Sequence, residues 1–170
     1  DVDWIAVSVG DGCTVGGVYN GLKDLYELGM IQRIRKILGV QSTGCCPFVD
    51  AAEGDKPLAP AEENTIADSI AVGVPRNPVK ALRAVKDSGG RWLAVSDEDM
   101  LDAMRVLGRT EGVFGEPAGV TATAGVREAV ARGWIKPDET VVTISTGSGL
   151  KDVKNALRAA GAPTLCEPSL

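Results

Sequence analysis

The stretch WIAVSVGDGCTVGGVYNG, Trp4 to Gly21, decides how the rest of the chain is read. It opens as an apolar, β-branched run, places five glycines between Gly10 and Gly21, and continues helically with Val18, Leu22, Leu25 and Leu28 on one stripe. A buried strand that leaves through glycines into a helix presents backbone N–H groups at the helix N-terminus. There the macrodipole and the unpaired donors favour an anion such as phosphate. Gly10 and Gly12 let that anion approach without a Cβ in the way, and Thr14 adds a hydroxyl donor. Neither common phosphate motif is met: no Lys follows as GxxxxGK[ST] requires, and the dinucleotide spacing GxGxxG gives Gly10-x-Gly12-x-x-Val15. The residues alone leave two readings open, a single phosphate held by backbone and a tight strand-to-helix turn with close packing.

Outward from this stretch the chain alternates short apolar runs with longer amphipathic ones. Ile37 to Val40 reads as a second strand, followed by a long polar loop with Pro and Gly, and Asn64 to Val72 carries a helical pattern. Asn77-Pro78 starts another helix, with a cap residue and Pro at its first position. Trp92 to Val95 is a third strand, ending at Ser96, whose hydroxyl with Asp97, Glu98 and Asp99 makes a helix start with Met100, Met104 and Leu107 on its apolar face. Pro117 to Arg132 is a further helix closed by Gly133, Thr140 to Ser145 a fourth strand, and Leu150 to Ala159 the last helix. This order predicts an α/β fold: an open, mostly parallel sheet with helices on both faces. Ligands of such sheets sit outside the carboxyl ends of the strands, where the exits Gly10 to Gly17 and Gly147 to Gly149 both lie.

Composition limits what the site can be. A length of 170 residues with 44% hydrophobic content makes residues 1–170 one globular domain. A net charge of −5 without a basic cluster argues against nucleic acid as a partner. No apolar run reaches the roughly 18 residues of a membrane span and no signal-peptide order opens the chain, so a soluble, cytoplasmic protein with no membrane partner is expected. Cys13, Cys45, Cys46 and Cys166 show no CxxC spacing, and with no histidine in the chain they complete no zinc set, so no metal is expected. Cys45 and Cys46 are adjacent, which strains a bridge between them, and free thiols in a reducing compartment are expected. The lack of histidine also removes the commonest general base and every Ser/His or Cys/His pair.

Taken in order, VSVGDGCTVGGVYNGLKDLYELGMI, GVQ, TIADSIAVGVPRNPVKALRAVKDSGG, VSDEDM, EGVFGEPAGVTATAG and TVVTISTGSGLKD resemble the C-terminal half of the threonine synthases. These belong to the tryptophan synthase β-like group of pyridoxal 5′-phosphate enzymes known as fold type II, and the resemblance covers nearly the whole chain. It implies that Gly10, Asp11, Gly12, Cys13 and Thr14 form a cradle gripping the cofactor phosphate through backbone amides. Cys13 stands where the family often has glycine. Asp11 stands where it has an amide or hydroxyl residue, so its carboxylate is expected to turn outward.

By the same resemblance Thr146, with Ser145 as its backup, offers a hydroxyl to the pyridine nitrogen. A neutral partner of this kind leaves the ring nitrogen largely unprotonated and suits elimination and replacement chemistry. Glu116 in GEPAG matches a family carboxylate near the pocket, and Thr65 to Ile70 matches a segment lining it. Arg76 stays open between reaching an anionic substrate group and lying exposed in its loop.

The family's Schiff-base lysine lies upstream in a Ser-x-Lys type motif, which none of the eight lysines here matches; Lys151 in GLKD reads as a surface or loop anchor. The chain is therefore expected to be the C-terminal part of the large cofactor-binding domain, without a catalytic residue of its own and inactive alone. Its partners would be the N-terminal half of the same enzyme, an amino-acid substrate and a second copy in a homodimer. The implied activity is that of a lyase of threonine biosynthesis converting O-phospho-L-homoserine and water to L-threonine and phosphate. A threonine or serine dehydratase, a cysteate synthase, and a non-catalytic phosphate-binding α/β module remain as alternatives.

Overall fold

Four strands frame the computed structural model, which describes residues 2–54, 56–161 and 164. They are β1 (Trp4–Ser8), β2 (Lys36–Ser42), β3 (Arg91–Val95) and β4 (Val141–Thr143). All pair in parallel in the order β3-β2-β1-β4, with Val7 opposite Gly39, Val40 opposite Leu93 and Ala6 opposite Thr143. Among the described residues six helices cover the sheet: α1 (Cys13–Glu27), α2 (Pro47–Gly54), α3 (Pro78–Asp87), α4 (Asp97–Thr110), α5 (Pro117–Ala131) and α6 (Val153–Ala160).

Alternation along each strand divides the core into two layers. Ala6, Leu38, Val40, Leu93 and Val95 pack with Met100 and Met104 of α4, Ala118 and Ala122 of α5, and Ala159 of α6. On the other face Val7, Ile37 and Trp92 pack with Val15 and Leu22 of α1, Phe48 of α2, and Ala81 and Val85 of α3. The Phe48 ring stacks on Trp92 with centroids 4.9 Å apart and an interplanar angle of 4°. Helices α1 to α3 thus lie on one face and α4 to α6 on the other, as the alternation of elements predicts.

The strand order also locates a crevice. The chain runs outward from β1 through β2 to β3, then returns on the far side of β1 to form β4. The carboxyl ends of β1 and β4 therefore flank the point where the direction of winding reverses, the usual ligand position in open parallel sheets.

Several element boundaries differ from those the pattern predicts. Asn64 to Val72 is not a helix; it contains only a single 3-10 turn at Asp68–Ile70. The start of this segment is tied to α4 instead: Thr65 Oγ1 donates to Asp97 Oδ1 at 2.6 Å and the Ile66 N–H donates to Asp97 Oδ2 at 3.1 Å. Conversely, α2 lies inside the stretch that reads as loop. Its first N–H groups, on Phe48 and Val49, donate to Oε1 of the fully buried Gln41 at 2.9 and 3.3 Å.

Strand β4 is three residues long rather than six, and α6 starts at Val153, where the Asp152 carboxylate accepts from the Asn155 N–H at 3.1 Å. The expected start of α4 is present as a reciprocal cap: Ser96 Oγ accepts from the Asp99 N–H at 3.2 Å, and the Ser96 N–H donates to Asp99 Oδ2 at 2.9 Å.

Cys13, Cys45 and Cys46 are free thiols, while Cys166 lies outside the described residues. Burial pushes the Cys45 thiol up, and burial with the nearby Asp50 carboxylate pushes Cys46 up to about 11, so both stay protonated near neutral pH. Among the described residues no helix is long and apolar enough to cross a membrane.

Candidate functional site

The crevice between β1 and β4 is a cavity of about 370 Å³, within the range of small-ligand pockets. Its wall runs from Val7 through the glycine loop to Val15, and is completed by Ser69, Ile70, Ala118, Ile144 and Thr146. The loop is shaped by Gly12, which stands just before α1 with φ +83°. A Cβ there would fall 2.7 Å from the Ala81 Cβ and 2.9 Å from Phe48 Cζ, so both backbone conformation and packing require glycine.

The helix that starts here is left open on purpose-built backbone. No side chain caps α1, its first turn holds no acidic residue, and its first internal hydrogen bond runs from the Gly16 N–H to the Gly12 carbonyl at 3.2 Å. The N–H groups of Cys13, Thr14 and Val15 consequently have no acceptor within the helix. Cys13 and Thr14 are exposed. The carboxylate of Asp11 faces the other way: its Oδ1 accepts from the Arg76 N–H at 3.1 Å, and its carbonyl accepts from the Asn77 N–H at 3.0 Å.

Two residues that support the loop escape a sequence reading. Asn77 makes no cap for its own helix α3; its Nδ2 donates to the Gly12 carbonyl at 3.3 Å and straps the loop to α3. Gln41 Nε2 donates to the Val9 carbonyl at 3.3 Å, tying the exit of β1 to the start of α2. Each partner lies more than thirty residues away in sequence, so no local spacing could signal either. Arg76 serves the loop through its backbone N–H.

Across the cavity, Thr146 lines the wall while Ser145 does not; the Ser145 hydroxyl lies against Gly115, 3.1 Å from where a Cβ would sit on that residue. Of the segment Thr65 to Ile70, only Ser69 and Ile70 reach the cavity. Glu116 stands outside it. Its buried carboxylate lines an adjoining cavity of about 350 Å³ together with Asp68, Ser69, Lys151, Asp152 and Asn155, and its Oε2 lies 3.4 Å from Lys151 Nζ. None of the eight lysines lines the first cavity. Among the described residues no group of three or more His, Cys, Asp or Glu is placed to hold a metal ion.

A cradle of open helix donors faced by a hydroxyl, at the reversal point of a parallel sheet, coincides with one sequence family. The profile of the family described as "Pyridoxal-phosphate dependent enzyme" matches residues 1–147. The chain belongs to this family. Among curated relatives it is similar to the threonine synthase of Methanosarcina acetivorans, 38% identical over 99% of this chain and 42% of the relative. It is likewise similar to that of Methanocaldococcus jannaschii, 38% identical over 97% of this chain and 41% of the relative.

Among solved structures it is similar to the processed form of threonine deaminase isoform 2 from Solanum lycopersicum. That match has a TM-score of 0.75 and 20% identity, covering 94% of this chain and 43% of the other. This likeness gives the fold, the tryptophan synthase β-like architecture of fold type II. The chain spans about two fifths of the length of the curated relatives it matches. The cofactor of the family is pyridoxal phosphate.

Proposed function

We propose that this chain carries the phosphate-gripping part of the cofactor site in a threonine synthase-type lyase, which converts O-phospho-L-homoserine and water to L-threonine and phosphate. One observation carries this reading above its rivals. The threonine synthase relatives align along nearly the entire chain at 38% identity. The likeness to a threonine deaminase, at 20% identity, speaks for the fold alone.

The cavity's own chemistry supports the cofactor part. A phosphate needs donors and no facing carboxylate. Here the first-turn N–H groups of Cys13, Thr14 and Val15 lack helix acceptors, the Thr14 hydroxyl is exposed beside them, and Asp11 is turned onto the backbone of Arg76. These groups, with the backbone of Gly10 to Gly12, would hold the phosphate. Thr146 would meet the ring nitrogen with a neutral hydroxyl, and Ser69, Ile70 and Ala118 would wall the ring and exclude water. When bound, pyridoxal phosphate supplies the electron sink for making and breaking bonds at the substrate's carbons. This chain's residues orient that group and set the charge state of its nitrogen; no residue here is assigned to proton transfer at the substrate.

In this reading the chain is the C-terminal part of the large cofactor-binding domain of a cytoplasmic enzyme. The linking lysine and the substrate carboxylate site come from the part of the relatives' length that this chain does not span. The test offers O-phospho-L-homoserine and L-threonine separately to the enzyme containing this chain and records phosphate and ammonia. Phosphate appearing with new threonine is expected. Ammonia from threonine with no phosphate from O-phosphohomoserine would transfer the protein to the dehydratases.

A further inference from the structure

Glu116 occupies an unusual position for a carboxylate. It immediately precedes α5, yet its side chain makes no cap to that helix, and it is only 8% exposed. It lies instead against the backbone of the loop that carries Thr146. A Cβ on Gly147 would fall 1.8 Å from Glu116 Oε1, so any side chain there would displace the carboxylate. The Glu116 N–H donates to the Gly147 carbonyl at 2.9 Å, and the Gly149 N–H donates to the Phe114 carbonyl at 2.8 Å.

After Gly149 the chain turns back, and Lys151 brings its ammonium to 3.4 Å from Glu116 Oε2. The loop from Thr146 to Lys151 is thus wrapped around one carboxylate, touching it at Gly147 and neutralising it at Lys151. The Glu116 carboxylate is nearly shut off from water while the Lys151 side chain is 65% exposed, so the ammonium supplies a counter-charge from the solvent side. The Thr146 side of this loop faces the cavity between β1 and β4, and the Glu116–Lys151 side faces the adjoining cavity, with Ser69 shared by both.

We infer that Glu116 and Lys151 are a positioning pair that clasps the Thr146 loop and sets where its hydroxyl stands relative to the cofactor ring. The inference rests on the reading of Thr146 as the ring-nitrogen partner, and it moves Glu116 from cofactor contact to action through the loop. Lys151, which has the look of a surface anchor in the sequence, becomes part of the site's support. Neither residue touches the phosphate cradle at Gly10 to Thr14.

The test uses pyridoxamine 5′-phosphate, which has no aldehyde to react with lysines, and inorganic phosphate as a second probe. Both are titrated against the protein and its Lys151→Met, Lys151→Arg and Thr146→Val variants, and amide hydrogen exchange at residues 146–149 is followed without ligand. Lys151→Met is expected to speed that exchange about tenfold and to weaken pyridoxamine phosphate about fivefold, the size of one lost hydrogen bond, while phosphate binding stays unchanged. Lys151→Arg should restore both.

Unchanged exchange in Lys151→Met would overturn the clasp. Faster exchange with undiminished pyridoxamine phosphate binding would also overturn it, provided Thr146→Val binds more weakly, because the loop would then be held without mattering to the hydroxyl. If Thr146→Val binds as tightly as the unaltered protein, the Thr146 assignment itself fails and the inference falls with it.

Discussion

A carboxylate in a loop proposed to hold phosphate is accommodated at Asp11 by its direction. With Oδ1 on the Arg76 N–H, the charge leaves the face where Cys13 to Val15 present their donors. That Asp11 would turn its side chain away followed from the family likeness together with electrostatics. Gly12 was read as glycine for close approach of an anion, and the structure adds a second reason in its φ of +83°. Gly12→Ala should cost at least about 1 kcal/mol in urea unfolding, from the left-handed backbone and the contact with Ala81 together. The same variant should abolish phosphate binding in titration, and unaltered binding would remove the loop from the site. What sequence could not give at this scale are Asn77 and Gln41, whose side chains act on carbonyls 65 and 32 residues away. Asn77 next to Pro78 carries a strong local signal for a helix cap, and the longer-range bond to Gly12 prevails over it.

At the level of elements, the signals that held were the longer periodic stretches of α1, α4 and α5 and the reciprocal cap of α4. The box at Ser96 and Asp99 starts α4 where the residues say it should, and Ser96→Ala should destabilise the protein by about 1 kcal/mol in chemical denaturation. The helical pattern at 64–72 yields one 3-10 turn, and Asp97, one residue past that cap, fixes the start of the segment through Thr65 and Ile66. Asp97→Ala should free this segment, costing roughly 1–3 kcal/mol by the same denaturation, and should weaken pyridoxamine phosphate binding, because Ser69 and Ile70 form the cavity wall downstream. Helix α2 was hidden by Cys45, Cys46 and Pro47, which read as loop, although Phe48, Val49 and Ala51 give it a buried face.

The strand starts are held by charge. Lys36 of β2 donates to Glu139 Oε1 at 2.8 Å, just ahead of β4, and with the Lys136 N–H it holds the Glu139 carboxyl down to about 2, against an ordinary 4.5. A depressed carboxylate stabilises the fold fully above its unfolded value and loses that contribution as pH falls from about 4.5 to about 2. Glu139→Gln should flatten the stability profile in that window and leave its shape above pH 5 unaltered, as thermal melts across pH would record.

For the molecule as a whole, the parallel sheet with helices on both faces was legible because at least one helix separates each strand from the next. The strand order was not, since nothing local tells β4 to pair with β1 rather than with β3, and that choice creates the crevice. It brings Thr146 opposite a glycine loop more than 130 residues earlier, an adjacency visible in the sequence only through the family likeness. In the proposed reading this crevice is the cofactor site, gripped by open helix donors at one end and met by Thr146 at the other. The most direct measurement follows backbone amide resonances while pyridoxamine 5′-phosphate is added. Shifts confined to Gly10–Val15, Ser69–Ile70 and the Thr146 loop are the predicted result, with inorganic phosphate reproducing only those of Gly10–Val15. Shifts centred elsewhere, or none at saturating ligand, would contradict the account.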